Sequence, residues 1–145
     1  MPVESVMEHE RIWIEGLNRG DVSVADAVFA PDCVVHMTGV ADPLRAVGPW
    51  KELVAGLLRA FPDLHFTIED QLAEGDKVTT RWLGRGTHSG EYRGFPQAAN
   101  PIAPTDRPVD FGATDIYLIK NGKIAEEWNT LEEILILRQI GGLLK

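Results

Sequence analysis

Asp115 lies in the middle of Ala113-Thr114-Asp115-Ile116-Tyr117, a run that reads as part of a strand. Alternation puts Ala113, Asp115 and Tyr117 on one face and Thr114, Ile116 and Leu118 on the other. A carboxylate between apolar neighbours in mid-strand is uncommon. It reads as a general base, as a solvent-facing residue, or as the ion-pair partner of Arg81. Desolvation in an apolar cavity would raise its pKa and make it a better base near neutral pH. His88, in Gly86-Thr87-His88-Ser89-Gly90, stands at a strand end. There it would orient Asp115, donate to a substrate carbonyl, or cap the loop. His36 is a cavity donor or a core histidine bonded to a backbone carbonyl. Arg81 holds a substrate carboxylate or pairs with Glu127 or Asp115. Trp13, Trp50, Trp82, Tyr117 and Trp128 divide between core and cavity wall, and aromatic walls suit flat or long apolar ligands. One face of the closing strand, which carries Glu126, Glu127 and Asn129, should line the same pocket. The catalytic candidates are therefore Asp115 and His88. The binding candidates are His36, Arg81, Trp13, Trp50, Tyr117, Glu127 and Trp128.

Other chemistries fit poorly. Four histidines without a close pair and a single cysteine, Cys33, argue against a metal site. The chain has no glycine-rich phosphate loop and no Gly-x-Ser-x-Gly elbow. Cys33 and His36 on one strand do not set up a nucleophile–base dyad. The formal net charge of −8 argues against nucleic acid and anionic membranes. No apolar run is long enough to span a bilayer, and the acidic start, Met1 to Ser5, does not read as a signal peptide. One cysteine excludes an internal disulfide, which fits a cytoplasmic protein. At 145 residues, 44% apolar and 25% charged, the chain reads as one domain, 1–145, with a real core.

The elements that must position these residues change character near Phe61. Before it the pattern is helical. Ser5 and Glu8 form a capping box, and Val6, Met7, Trp13, Ile14 and Leu17 share a stripe. A short helix passes through Val28 and Phe29 and ends at Pro31. Cys33 to Thr38 reads as a strand. A third helix has Pro49 at its first position and carries Trp50, Leu53, Val54, Leu57, Leu58 and Phe61 at helical spacing. After Phe61 come strands: Leu64 to Glu69, Val78 to His88, Val109 to Ile119, and Ile124 to Asn129, with turns at Glu74-Gly75-Asp76 and Asn121-Gly122. Prolines across residues 92–108 predict irregular structure, either a lid or a solvated connector. Leu131 to Ile140 is helical and apolar nearly all round, which predicts deep burial or a homodimer or higher homo-oligomer. Helices first and strands after predict an α+β fold, helices packed on one face of a curved, mostly antiparallel sheet with a conical cavity between.

The ordered set of short motifs resembles the SnoaL-like polyketide cyclase branch of the nuclear-transport-factor-2-like (NTF2-like) superfamily. The pieces are Phe61-Pro62-Asp63-Leu64, Glu74 to Val78, Arg81-Trp82, Gly86 to Gly90, Thr114 to Tyr117, Asn121 to Ile124, Glu127-Trp128 and Leu137 to Gly141. The resemblance implies an α+β barrel of that type, no metal and no organic cofactor. It implies intramolecular aldol ring closure of a polyketide-like ester, with an aspartate as general acid/base, and by position that role falls to Asp115. Isomerase, dehydratase and epoxide hydrolase chemistry occur on the same fold, as do non-catalytic small-molecule-binding modules. Two departures from the family pattern bear on the substrate: the longer loop between Gly94 and Arg107, and Leu118 where arginine is common.

Overall fold

Helical periodicity gives way to alternation at Phe61, and the chain passes from helix to sheet there. A computed structural model describes residues 3–95 and 97–141, and the side chains of all of these except 3–6 and 97–99. Helix α1 spans Val3–Asn18, a single 3₁₀ turn Val22–Val24, and α2 Ala25–Val28. Strand β1 is Phe29–Met37 and helix α3 Val47–Ala60. Strands β2 (His65–Glu74), β3 (Lys77–Thr87), β6 (Pro108–Lys120) and β7 (Lys123–Leu131) follow, with β4 (Tyr92–Gly94) and β5 (Gln97–Ile102) inserted, and α4 (Glu133–Ile140) closes the chain.

The main sheet has the order β1-β7-β6-β3-β2. Every pairing is antiparallel except β1 with β7, so the α+β architecture is as the periodicity predicts. The sheet curves but does not close into a barrel, because β1 and β2 remain its two edges. Tight turns set the register. Glu74 pairs with Lys77 around Gly75, and Lys120 pairs with Lys123 around Asn121-Gly122, where φ is 50° and 75° as such hairpins require.

Inward residues alternate with outward ones along β6: Val109, Phe111, Ala113, Asp115, Tyr117 and Ile119 are buried. Helices α1 and α3 cover this face with Trp13, Ile14, Leu17, Trp50, Val54 and Leu57. Trp13 meets Phe29 edge-on at 5.2 Å, and Phe66 meets Trp82 edge-on at 4.7 Å.

Several boundaries differ from expectation. Helix α1 begins at Val3, so Ser5 lies inside it; the Ser5 side chain is outside the described residues. Pro31 does not end a helix. It sits within β1, an edge strand, where a missing N–H is tolerated and where the pairing with β7 shifts between Phe29 and Val34. Pro49 is third rather than first in α3, still within the turn whose N–H groups have no helical partner. Strands β4 and β5 form a small antiparallel pair, Tyr92 pairing with Ile102 and Gly94 with Gln97. Both of its strands are edges, which accommodates Pro101; among the described residues of 97–108 only the stretch from Ala103 to Arg107 is irregular. Helix α4 starts at Glu133, with Ile136 and Ile140 buried and Ile134 52% exposed, so its apolar residues are not all covered.

Candidate active site

The sheet twist brings the inward faces of β3, β6 and β7 together under α1 and α3. Their side chains enclose a chamber of about 30 Å³, walled by Trp13, Trp50, Phe66, Trp82 and Phe95, with Asp115, Tyr117, Glu127 and Asn129 on its floor. Phe95, Asn129 and Leu131 also line a second space of about 240 Å³ beneath α4. The ring of Phe95 packs on Trp50 at 5.8 Å and belongs to the wall that the two spaces share. The segment that carries Phe95 is tied to α4: the Phe95 N–H donates to Glu133 at 2.6 Å, and the Tyr92 hydroxyl donates to the same carboxylate oxygen.

Asp115 is 1% exposed and accepts three hydrogen bonds. Trp82 Nε1–H donates to Oδ2 at 2.6 Å, Asn129 Nδ2–H to Oδ1 at 2.6 Å, and the Tyr117 hydroxyl approaches Oδ2 at 3.2 Å. Burial pushes its pKa up from 3.8 to about 6, and the bonds from Trp82, Asn129 and Tyr117, with the nearby Glu127 carboxyl last, restrain the rise. This carboxyl is therefore largely ionised at neutral pH yet basic enough to take a proton.

Two further carboxyls share the interior. Glu10, from α1, lies 3.0 Å from the Tyr117 hydroxyl. Burial, and then the charge of Asp115, hold it well above the usual carboxylate range. Tyr117 has one hydroxyl hydrogen for two carboxyl neighbours. A protonated Glu10 resolves this: it donates to the Tyr117 oxygen, and Tyr117 donates to Asp115. Glu127, from β7, is raised well above its usual range by burial and by the charges of Asp115 and Glu10; it lies close enough to Asp115 for a protonated Glu127 to share its hydrogen with that carboxylate, and neither of its oxygens receives a hydrogen bond of good geometry.

Of the residues singled out from sequence, Asp115, Trp13, Trp50, Tyr117 and Glu127 are brought together at the chamber. Four others are not. Arg81 points out from the opposite face of β3, exposed, and pairs with Glu69 at 3.1 Å rather than with Asp115 or Glu127. His36 also faces outward. Its Nε2 lies 2.6 Å from Glu126, and its ring stacks on Trp128 at 5.4 Å. Trp128 is half-buried on that outer face, with Lys77 Nζ 5.8 Å from its ring centroid. One rule explains all three: a period of two sends neighbours of an inward residue outward.

His88 is buried but distant from the chamber floor. Asp115 pairs across the ladder with Thr80, eight residues before His88. The His88 ring packs on Phe61 at 5.6 Å, and its Nδ1 lies 2.9 Å from the Thr105 hydroxyl. Burial holds its pKa below the ordinary histidine value. The motif around it is a clasp. The Thr87 N–H and hydroxyl both donate to Asp63, and a Cβ on Gly90 would stand 1.9 Å from the Arg59 carbonyl oxygen. Cys33 is buried, and burial raises its thiol to about 11, which leaves it unreactive.

Sequence reasoning missed Glu10 and did not assign Trp82 a role at Asp115. Glu10 left a signal: it interrupts the apolar stripe of α1 between Met7 and Trp13. Among the described residues no helix is long and apolar enough to cross a membrane.

The geometry has clear relatives. Residues 7–140 match the family model for SnoaL-like polyketide cyclases. The solved structure of IdmH from Streptomyces antibioticus, a candidate polyketide cyclase, is 28% identical, covering 94% of this chain and 98% of that one at a TM-score of 0.79. AclR from Streptomyces galilaeus, a candidate hydroxylase, is 24% identical over 99% of this chain and 85% of its own, with a TM-score of 0.85. An epoxide hydrolase of the LEH-like kind from M. tuberculosis shares the fold at 14% identity and a TM-score of 0.66, covering 96% of this chain and 91% of that one. No curated protein matches the chain. With a buried, donor-held aspartate under a curved sheet and a family match across nearly its whole length, the chain belongs to the SnoaL-like polyketide cyclase family.

Proposed function

We propose that this protein is a cofactor-independent cyclase that closes a ring in a polyketide-like ester by an intramolecular aldol reaction, with Asp115 as general acid/base. The observation that carries this reading is Asp115 itself: enclosed among aromatic rings, held by three donors, and raised to about 6. The Asp115 carboxylate removes a proton from a carbon flanked by two carbonyls. The enolate carbon bonds to a carbonyl carbon of the same molecule, the C=O π pair becomes an alkoxide, and Asp115 returns the proton to that oxygen. Two flanking carbonyls make the carbon acidic enough for a carboxylate of this basicity. The aromatic walls hold the chain folded so that the two carbons meet. The enclosed space is smaller than such a substrate, so binding requires Phe95 to leave the mouth.

Epoxide hydrolysis has less support, since Arg81 lies on the outer face and no arginine is among the residues described around the chamber. Self-association through α4 is part of the proposal, because Ile134 stands exposed there. Sedimentation that finds only monomer at micromolar concentration would remove it.

The test of the chemistry uses ethyl acetoacetate, a neutral ester with an acidic carbon between two carbonyls. The wild-type protein should speed deuterium exchange at that carbon, followed by NMR. Asp115→Asn should keep the fold and lower the exchange by roughly 10²–10⁴-fold, the usual share of a positioned acid/base. Exchange at the wild-type rate in Asp115→Asn rules Asp115 out as the base.

A further inference from the structure

Buried polar atoms are almost always paired, and an exception in a cavity wall calls for an explanation. Two residues of the chamber wall carry such exceptions: Trp50 Nε1 and both oxygens of Glu127. The other polar groups of the wall are committed. Trp82, Asn129 and Tyr117 all hold Asp115, and Tyr117 also meets Glu10. Glu127 stands directly across the β6–β7 ladder from Tyr117, whose hydroxyl is thus already engaged. Trp50 reaches the chamber from α3, packed edge-on between Phe29 and Phe95.

The chemistry of each group is narrow. An indole N–H donates and never accepts. A carboxyl donates only when it carries its proton. Glu127 is fully buried beside Asp115, and two adjacent carboxylates in an apolar chamber cannot both ionise readily. The carboxyl with three donors, Asp115, is the one suited to hold the charge. Glu127, whose oxygens receive no hydrogen bond of good geometry and whose proton can rest on Asp115 until a ligand enters, is the one suited to stay neutral.

We propose that Trp50 Nε1–H and the protonated carboxyl of Glu127 are the hydrogen-bond donors that receive a substrate carbonyl oxygen in the chamber that holds Asp115, and that the ligand is an uncharged carbonyl compound. This deepens the cyclase reading and rests on it only for the identity of the base. Two carboxyls in one chamber then divide the work: Asp115 takes the proton from carbon, and Glu127 with Trp50 meets the negative charge growing on oxygen. The residues described around the chamber include no lysine, arginine or histidine. An anionic ligand would meet Asp115 with no cation to offset it.

The experiment is binding of ethyl acetoacetate, ¹³C-labelled at the ketone, followed by isotope-edited infrared spectroscopy. Hydrogen bonding should move the bound ketone band to lower wavenumber in the wild-type protein. Trp50→Phe keeps the ring and removes the N–H. It should lose part of the shift and weaken binding by about tenfold, the upper share of one neutral hydrogen bond. Glu127→Ala should do the same or more. Glu127→Gln retains an N–H donor of similar reach and should bind within about threefold of wild type; it also covers the case in which Glu127→Ala fails to fold. Acetoacetate, the anionic counterpart, should bind more than about tenfold weaker than the ester. The proposal is overturned if the ester shows no saturable binding at millimolar concentration, if the shift survives in both Trp50→Phe and Glu127→Ala, if Glu127→Gln behaves like Glu127→Ala, or if the anion binds as well as the ester. Asp115→Asn separates this from the reading it deepens. Should that variant keep deuterium exchange while Trp50→Phe and Glu127→Ala lose the shift, the base assignment fails and the donor pair stands.

Discussion

Asn129 faces Asp115 across the β6–β7 ladder and also donates its side-chain amide to Asp115 Oδ1 at 2.6 Å. Backbone register and side-chain chemistry thus fix the same pair. A donor to the ionised form lowers a carboxyl's pKa, so its removal should raise Asp115 further above about 6. In Asn129→Ala the acid limb of the kcat/KM profile should move up by about one pH unit, the equivalent of one bond to a charged group. A limb that stays in place would mean that Asn129 does not bond the ionised carboxylate.

The buried acids also set a pH dependence of stability. Asp115, Glu10 and Glu127 all have folded pKa values above their ordinary 3.8 and 4.5. Such groups contribute stability that is fully present below the ordinary value and lost as pH rises through the folded value. For Asp115 the window runs from 3.8 to about 6; for the two glutamates it starts at 4.5 and extends upward. Asp63, lowered by its bonds from Thr87, and Asp21, lowered by its bonds from Ser23, act in the opposite sense only near or below 3.8, and His88, held down by burial, acts in the opposite sense up to 6.5. Melting temperatures should therefore fall as pH rises above 6.5, where His88 no longer opposes the glutamates, and fall less steeply in Glu127→Gln. Parallel slopes in the two proteins would show that Glu127 does not carry its proton into the folded state.

Phe95 is expected to govern access. Phe95→Ala should join the 30 Å³ chamber to the 240 Å³ space under α4, since Phe95 lines both. Solvent exchange of the Trp50 indole N–H, measured by NMR, should quicken by an order of magnitude or more. Stability should fall by about 3–5 kcal/mol, as for other buried phenylalanines cut to alanine. Unchanged exchange would show that another route admits solvent.

His36 and Arg81 serve as internal controls. Both lie on the outer sheet face, His36 in a partly exposed hydrogen bond with Glu126 and Arg81 in an exposed ion pair with Glu69, and such surface pairs typically contribute about 0–1 kcal/mol. His36→Ala and Arg81→Ala should leave exchange catalysis within about twofold and stability within about 1 kcal/mol of wild type. A tenfold loss of catalysis in either would put the chemistry on the other face.

Much of this architecture could be read from the chain, and the reasons differ residue by residue. The floor position of Asp115 and Tyr117 followed from a period of two, which says which residues share a face. The same rule does not say which face is covered. Alternation alone therefore leaves Arg81 and His36 as site candidates, whereas their inward neighbours, Trp82 and Val35, occupy the interior. His88 shows a different limit. Its motif is recognisable because Asp63, Thr87 and Gly90 join the exit of α3 to the end of β3, and a clasp can look like chemistry when only the letters are visible. Glu10 was hidden for a third reason. Its partner Tyr117 is 107 residues away, and no local pattern announces a contact of that range. The β4–β5 pair was obscured by prolines, which exclude a central strand but not an edge.

Trp82 donates its indole N–H straight to the Asp115 carboxyl. Its indole excited state is sensitive to charge that close, so ionisation of Asp115 should register as a change in fluorescence with no ligand present. Trp13 and Trp50 line the same chamber, which leaves Trp128 as the one tryptophan of the four set apart from it. The protein thus contains its own optical indicator of the state of its proposed base, and a simple acid–base titration of its emission can follow that state in solution.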